Sequence, residues 1–215
     1  MKLFCIADIH GDFGEIDKIR DRARDHDLII IAGDLTNFNS RKVAMHMIED
    51  IQEINDVLIV PGNCDLPETL MVFEELGISL HGEGKVVGDV GFFGVGGSNF
   101  TPFDTPFEIG EDEISRLLCE GYRKIAGCKR KILVSHPPPH GTRVDKTASG
   151  MHAGSRAVWD FIQRFDVDIV LCGHIHEARG EDRSKDTIIL NLAPCHKGFV
   201  SLEIGEGIDF EFVDF

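Results

Sequence analysis

The six cysteines, at positions 5, 64, 119, 128, 172 and 195, include no CxxC pair. A thiolate-rich site therefore has no support, and with Cys5 and Cys172 inside apolar runs a reducing, cytoplasmic setting is expected. No stretch approaches the roughly 20 apolar residues of a membrane span. The opening "MKLFCIADIHGD" carries no cleavage signal, so a soluble, non-exported chain is expected. Basic residues are scarce too: 22 Lys and Arg stand against 37 Asp and Glu, a formal net charge of −15. No Lys/Arg block is dense enough to track a phosphate backbone, so duplex nucleic acid is not an expected partner. Small phosphates stay accessible if bound metal ions supply local positive charge. Internal repeats, low-complexity tracts and linkers are absent, and 215 residues suit one domain over 1–215.

What is present is an alternation of strand and helix patterns. "KLFCIAD" is an apolar run of strand length, followed by "FGEIDKIRDRAR", with Ile16, Ile19 and Ala23 on one helical face. "LIIIAGD" repeats the strand signal, "SRKVAMHMIEDIQEI" aligns Val43, Met47, Ile51 and Ile54, and "DVLIVPGN" is a third strand. Such a βαβαβ start implies parallel pairing with right-handed crossovers. In the second half "GKVVGDVGFFGVGGS", "TIILNLAP" and "GFVSLEIGEGIDFEFVDF" read as antiparallel meanders. "KRKILVSH" and "VDIVLCGH" are buried strands separated by a helix over 155–165, with Val158, Phe161, Ile162 and Phe165 on its apolar face. The class is α/β with two sheets.

Five polar clusters end strands: "ADIHGD", "AGDLTN", "PGNCD", "SHPPPH" and "GHIHE". Carboxyl ends of strands share one edge, where ligands bind in open α/β sheets. Asp8, His10, Asp34, Asn63, His136, His174 and His176 can therefore converge. Their oxygen and imidazole donors suit Mn2+, Fe, Ni2+, Co2+ or Zn2+. Seven donors exceed one tetrahedral ion, whereas two ions bridged by one carboxylate would use them all and suit phosphoester hydrolysis. Any one cluster alone is an ordinary turn; five in order, each at a strand end, point to a dimetal centre. The D-x-H and H-x-H spacings suit extended segments, whose alternate side chains share a side.

The set resembles the calcineurin-like metallophosphoesterases, with their D-x-H, G-D, G-N-H-D/E, lone H and G-H-x-H motifs; "GNCD" is similar to a phosphodiesterase-like branch. The resemblance implies a four-layer sandwich of two mixed β-sheets flanked by helices. It also implies one ion on Asp8, His10 and His176, a second on Asn63, His136 and His174, and Asp34 between them. The implied reaction is in-line attack of a metal-bridging hydroxide on a small phosphate ester, with Asp34, Asn63, Cys64, Asp65 and His136 in the catalytic set. Cys64 replaces the family's usual histidine, which Asp65 would hold and which assists the leaving oxygen. A thiol is the weaker donor at neutral pH and a poor partner for a carboxylate. Equally, it can be a small buried filler.

Several residues are less committed. His140 and His152 could bond a substrate phosphate, as could backbone N–H groups at Gly154 and Ser155, or serve only as loop and cap residues. Asn37 could support Asp34 or shape a turn. "GVGGSNF" is only loosely like a phosphate loop. A serine/threonine protein phosphatase is disfavoured because no arginine follows "GD" or "GN". A protein-binding module like the retromer subunit of this fold is the alternative, against which the complete donor set argues.

Overall fold

The computed structural model describes residues 1–215. Strands β1 (Lys2–Ile6), β2 (Leu28–Ala32) and β3 (Val57–Val60) pair in parallel, joined through helices α1 (Phe13–Arg22) and α2 (Arg41–Gln52). Asp12 starts α1 by accepting the Gly14 N–H at 2.8 Å, the usual way to satisfy an orphan donor of the first turn. Ile16, Ile19 and Ala23 are buried as the pattern predicts. On α2 the buried stripe is Ala44, Met47, Ile48 and Ile51, so Val43 and Ile54 lie at its margin rather than within it.

Helix α3 (Pro67–Glu75), with proline in its first turn, leads to the antiparallel hairpin β4 (Gly84–Val87) and β5 (Val90–Val95). Then come α4 (Glu111–Ile125), β6 (Arg130–Ser135), α5 (Arg156–Arg164), β7 (Ile169–Cys172), β8 (Gly180–Ser184), β9 (Thr187–Asn191), β10 (Phe199–Ile204) and β11 (Ile208–Val213). One sheet has the order β11-β10-β1-β2-β3 and the other β4-β5-β6-β7-β9-β8. The antiparallel expectation for the second half holds for the hairpins β4-β5, β8-β9 and β10-β11 and for the pairing of β10 with β1. Between them β5, β6 and β7 run parallel because α4 and α5 carry the chain back across the sheet, and β9 lies parallel to β7 after the chain returns through β8.

The layering follows from alternation along the strands. Leu3, Cys5, Ile30, Val60, Phe92, Val134, Leu171 and Leu190 face inward and fill the space between the sheets. Phe4, Ile6, Ile29, Ile31 and Ile59 face α1, α2 and α3, while Phe93, Leu133, Val170 and Ile189 face α4 and α5. Two mixed sheets with helices outside each give the expected four layers. Phe165 departs from expectation. It follows the last turn of α5, is 39% exposed, and stacks on Phe161 with centroids 4.4 Å apart.

Candidate metal centre

The carboxyl ends of β1, β2 and β3 supply Asp8, His10, Asp34 and Asn63; those of β6 and β7 supply His136, His174 and His176. The two sheets thus meet at one edge. The extended geometry expected for these segments is not what forms. Asp8, His10, Asp34 and His174 have φ values of 60°, 55°, 50° and 71°, in the left-handed region. Asp and His are enriched there among non-glycine residues, and such strain, on the order of 1 to 3 kcal/mol each, clusters at functional sites. The turns are held by backbone bonds: the Asp8 N–H donates to the Gly33 carbonyl at 3.0 Å and the His10 N–H to the Asp34 carbonyl at 2.9 Å.

Side-chain donors converge in three overlapping trios, Asp8–His10–His176, His10–Asp34–Cys64 and Asp8–Asp34–His136, with ligand atoms within 4.8 Å in each. His10 Nε2 faces His176 Nε2 at 3.2 Å, and His176 Nε2 lies 3.0 Å from Asp8 Oδ1. Asp34 Oδ2 lies 3.8 Å from His10 Nε2 and 3.6 Å from His136 Nε2. His136 donates from Nδ1 to the Ala32 carbonyl at 2.8 Å, so its Nε2 keeps a lone pair when the ring is neutral, and that nitrogen meets Asn63 Oδ1 at 2.9 Å. His174 lies outside the three trios, with its ring 5.1 Å from that of His136.

The electrostatics of this edge are those of a site short of positive charge. Asp8 and Asp34 are 3% and 2% exposed, and their only ionic partners are histidines. Burial, reinforced by Asp8 and Asp65 though opposed by His136, raises the Asp34 carboxyl above its usual range. Burial also lowers His10, and takes His174 down to about 3, so the His174 imidazole is neutral near neutral pH. His176 is raised, chiefly by its hydrogen bond to Asp8. Facing lone pairs and buried carboxylates without Lys or Arg fit divalent cations, since an unpaired buried charge is costly.

Two glycines show how tightly the motifs pack. A Cβ on Gly62 would stand 2.0 Å from Asp34 Oδ1, and one on Gly173 would stand 2.4 Å from Asp8 Oδ2. Each motif glycine thus makes room for another motif's carboxylate. Asp65 has a different task from that read in the sequence. Its two oxygens accept the N–H groups of Gly62, Leu35 and Thr36 and the Thr36 hydroxyl, at 2.7–3.2 Å, which fastens the loops after β2 and β3 together. Its oxygens are committed there. Cys64 is partly buried, with its thiol among the His10 and Asp34 donors and 3.6 Å from Asn63 Nδ2.

The less committed residues sort clearly. The α5 N-terminus offers nothing to a phosphate, because Glu111 accepts from the Ser155 hydroxyl and the Arg156 and Ala157 N–H groups at 2.6, 3.0 and 2.8 Å. The Gly154 and Ser155 N–H groups go to Asp145 and the Pro138 carbonyl. His152 Nδ1 lies 2.6 Å from the fully buried Asp145 and is anchored there, whereas His140 Nδ1, 3.8 Å from it, is beyond hydrogen-bond reach. Asn37 shapes a turn, its N–H donating to Asn39. In "GVGGSNF" the N–H groups of Gly96, Gly97 and Ser98 go to His81 Nδ1, Pro61 and Phe107, leaving no cradle.

Sequence reading missed Asp145, Glu111 and Asn191. The fully buried Asn191 donates from one amide to the Val144 and Ile175 carbonyls at 3.0 and 2.9 Å, which ties the loop after β6 to the His174–His176 turn. Its signal was a lone amide closing the apolar run "TIILN".

Comparison with known proteins agrees with this geometry. Residues 1–178 match the family model described as calcineurin-like phosphoesterase. An uncharacterized protein of Methanocaldococcus jannaschii, MJ1162, is 33% identical over 199 residues, covering 90% of this chain and 88% of its own. A UPF0046 protein of Caenorhabditis elegans, K07C11.7, is 26% identical over 220 residues, covering 92% and 71%. Among solved structures, TT1561 of Thermus thermophilus superposes with a TM-score of 0.77 at 17% identity, covering 98% of both chains. A putative 5'-nucleotidase of Staphylococcus aureus gives 0.62 at 18% identity, with 98% of this chain on 52% of that one. These superpositions speak for the fold.

Proposed function

We propose, from the premise that the chain belongs to the calcineurin-like phosphoesterase family, that it is a dimetal phosphoesterase, a phosphodiesterase by preference, acting on small phosphate esters and not on duplex nucleic acid. The observation that supports this most is the pair of buried carboxylates, Asp8 and Asp34, ringed by imidazoles and without any Lys or Arg partner. Asp8, His10 and His176 would hold one ion, Asn63, His136 and His174 the other, and Asp34 both. Such ions supply charge neutralisation at the phosphoryl oxygens and a water of lowered pKa.

The chain's own residues do the rest. The Ala32 carbonyl fixes the His136 tautomer and turns Nε2 toward Asn63 and Asp34. The Cys64 N–H, donating to Asp34 Oδ1 at 2.8 Å, orients that carboxylate so that Oδ2 points to the imidazoles. No side chain at position 64 or 65 is placed as a strong acid for the departing oxygen, so good leaving groups are favoured. The test combines metal analysis of the purified protein with hydrolysis of aryl monoesters, aryl diesters, cyclic nucleotides, dinucleotides and pyrophosphates. Two transition-metal ions per chain and turnover of a diester are expected. A metal-loaded protein inert on the whole panel would favour the protein-binding alternative.

A further inference from the structure

The three most exposed large apolar side chains of the protein are Phe103, Phe100 and Met151, at 80%, 73% and 67%. All three stand on loops that follow strand carboxyl ends, and so does Phe38, 54% exposed. Single exposed apolar residues are ordinary, but the most exposed ones all standing on loops at strand carboxyl ends call for a reason. Phe38 has φ 56°, a left-handed conformation that is a genuine outlier for a bulky side chain. Its N–H donates to the Cys64 carbonyl at 2.9 Å, while the Phe107 N–H donates to the preceding carbonyl, that of Asn63, at 3.1 Å. The two aromatic loops therefore hang from consecutive carbonyls of "GNCD", the turn that carries Asn63.

The loop bearing Phe100 and Phe103 is not slack. Glu108 accepts from the N–H and hydroxyl groups of both Thr101 and Thr105, at 2.5–3.0 Å, and the Phe103 N–H donates to the Thr101 hydroxyl at 3.1 Å. Ser98 and Phe107 close its base at 3.1 Å. Holding two aromatic rings in water on a rigid loop is preorganisation for a ligand rather than for folding, since rigid aromatic groups bind with little further loss of entropy.

We propose that Phe38, Phe100 and Phe103 form an aromatic rim that takes the organic group of the phosphoester, a flat aromatic ring such as a nucleobase or an aryl group. The inference rests on the phosphoesterase reading and adds its substrate class. A net charge of −15 disfavours an anionic membrane as the alternative occupant.

The test is calorimetric titration of the metal-loaded chain with three non-hydrolysable ligands: methylphosphonate, benzylphosphonate and a nucleoside methylenephosphonate. Base–aromatic stacking predicts that the aromatic ligands bind on the order of 5- to 150-fold tighter than methylphosphonate. A further gain of the nucleoside over the benzyl compound identifies a nucleobase, and parity identifies a simple aryl group. Phe38→Ala and Phe103→Ala should bring the ratio toward one while methylphosphonate affinity and the unfolding midpoint stay put, and Phe38→Tyr should preserve it. Equal binding of all three by the wild type, or a ratio that survives both alanine variants, overturns the proposal. Equal binding together with Phe103-dependent association with phosphatidylcholine vesicles would assign the rim to a lipid surface instead. If neither methylphosphonate nor inorganic phosphate binds, the phosphoesterase reading fails first and the rim proposal with it.

Discussion

The backbone N–H of Cys64 donates to Oδ1 of Asp34 at 2.8 Å, so position 64 grips the central carboxylate through its main chain. Any residue but proline can keep that bond. The backbone of "GNCD" thus serves the carboxylate whatever side chain stands at position 64, and the thiol is the variable part.

Cys64→Ala should keep full metal content and nearly full activity on nitrophenyl esters, with a modest stability loss from the small cavity. Wild-type rates should fall steeply as leaving-group pKa rises, because a positioned acid, typically worth about 10²- to 10⁴-fold, is missing. Cys64→His should recover little of it on alkyl esters, since Asp65 is spent on Gly62, Leu35 and Thr36 and cannot orient the ring. Rates across a leaving-group series for all three proteins are the measurement. A flat wild-type series, or collapse of Cys64→Ala at full metal occupancy, would make the thiol catalytic.

Asp34→Asn should reduce metal content toward one ion or none and abolish hydrolysis, as expected of a residue shared by two ions. Elemental analysis of the purified variant decides it, and two ions with full turnover would remove Asp34 from the shared position.

Gly62→Ala should mimic that loss without touching a donor. The new methyl would enter the space of Asp34 Oδ1 and of the Asp34 backbone nitrogen 2.2 Å away, which only a shift of the β2 loop can relieve. Overpacking of this kind costs typically about 1–3 kcal/mol. Denaturant midpoint and metal content should fall together, whereas Gly127→Ala, with no atom near the added methyl, should leave metal content unchanged.

Acid should loosen the loop that carries the aromatic rim. His81 accepts the Gly96 N–H on Nδ1 at 2.9 Å and packs near Phe107, and desolvation brings its pKa down to about 4. A histidine whose folded pKa is depressed contributes stability above its unfolded value, near 6.5, and loses it as pH falls from there through 4. Denaturant titrations of wild type and His81→Gln at pH 7.5 and 4.5 should show a smaller acid loss in the variant. Equal losses would mean that His81 is not the sensor.

How much of this was legible depends on what each segment packs against. The βαβαβ start was readable because β1, β2 and β3 are apolar on both faces and their helices carry one buried stripe each. Helix α4 went unread although Ile114, Leu117, Leu118, Gly121 and Ile125 repeat at helical spacing, with acids in its first turn and Arg123 and Lys124 in its last. It follows an irregular loop that masks its start. Strand β8, "GEDRS", has no apolar residue to read, and only its pairing with β9 makes it a strand. At the site, motif order placed the donors on one edge, but neither the left-handed turns nor the capture of Asp65 by backbone N–H groups can be seen in residue spacing. Those are set by contacts between loops far apart in the chain.

The donor set is divided between the two sheets, four residues from one and three from the other, and His136 and His176 already reach across to Asn63 and Asp8. On the dimetal reading the open end of the sandwich is therefore sewn shut by its own cargo of ions. A chelator would unpick that seam as well as silence the enzyme, since whatever binds only the folded chain also holds it folded. Persistence of the fold and readiness for chemistry then rise and fall with the same metal supply.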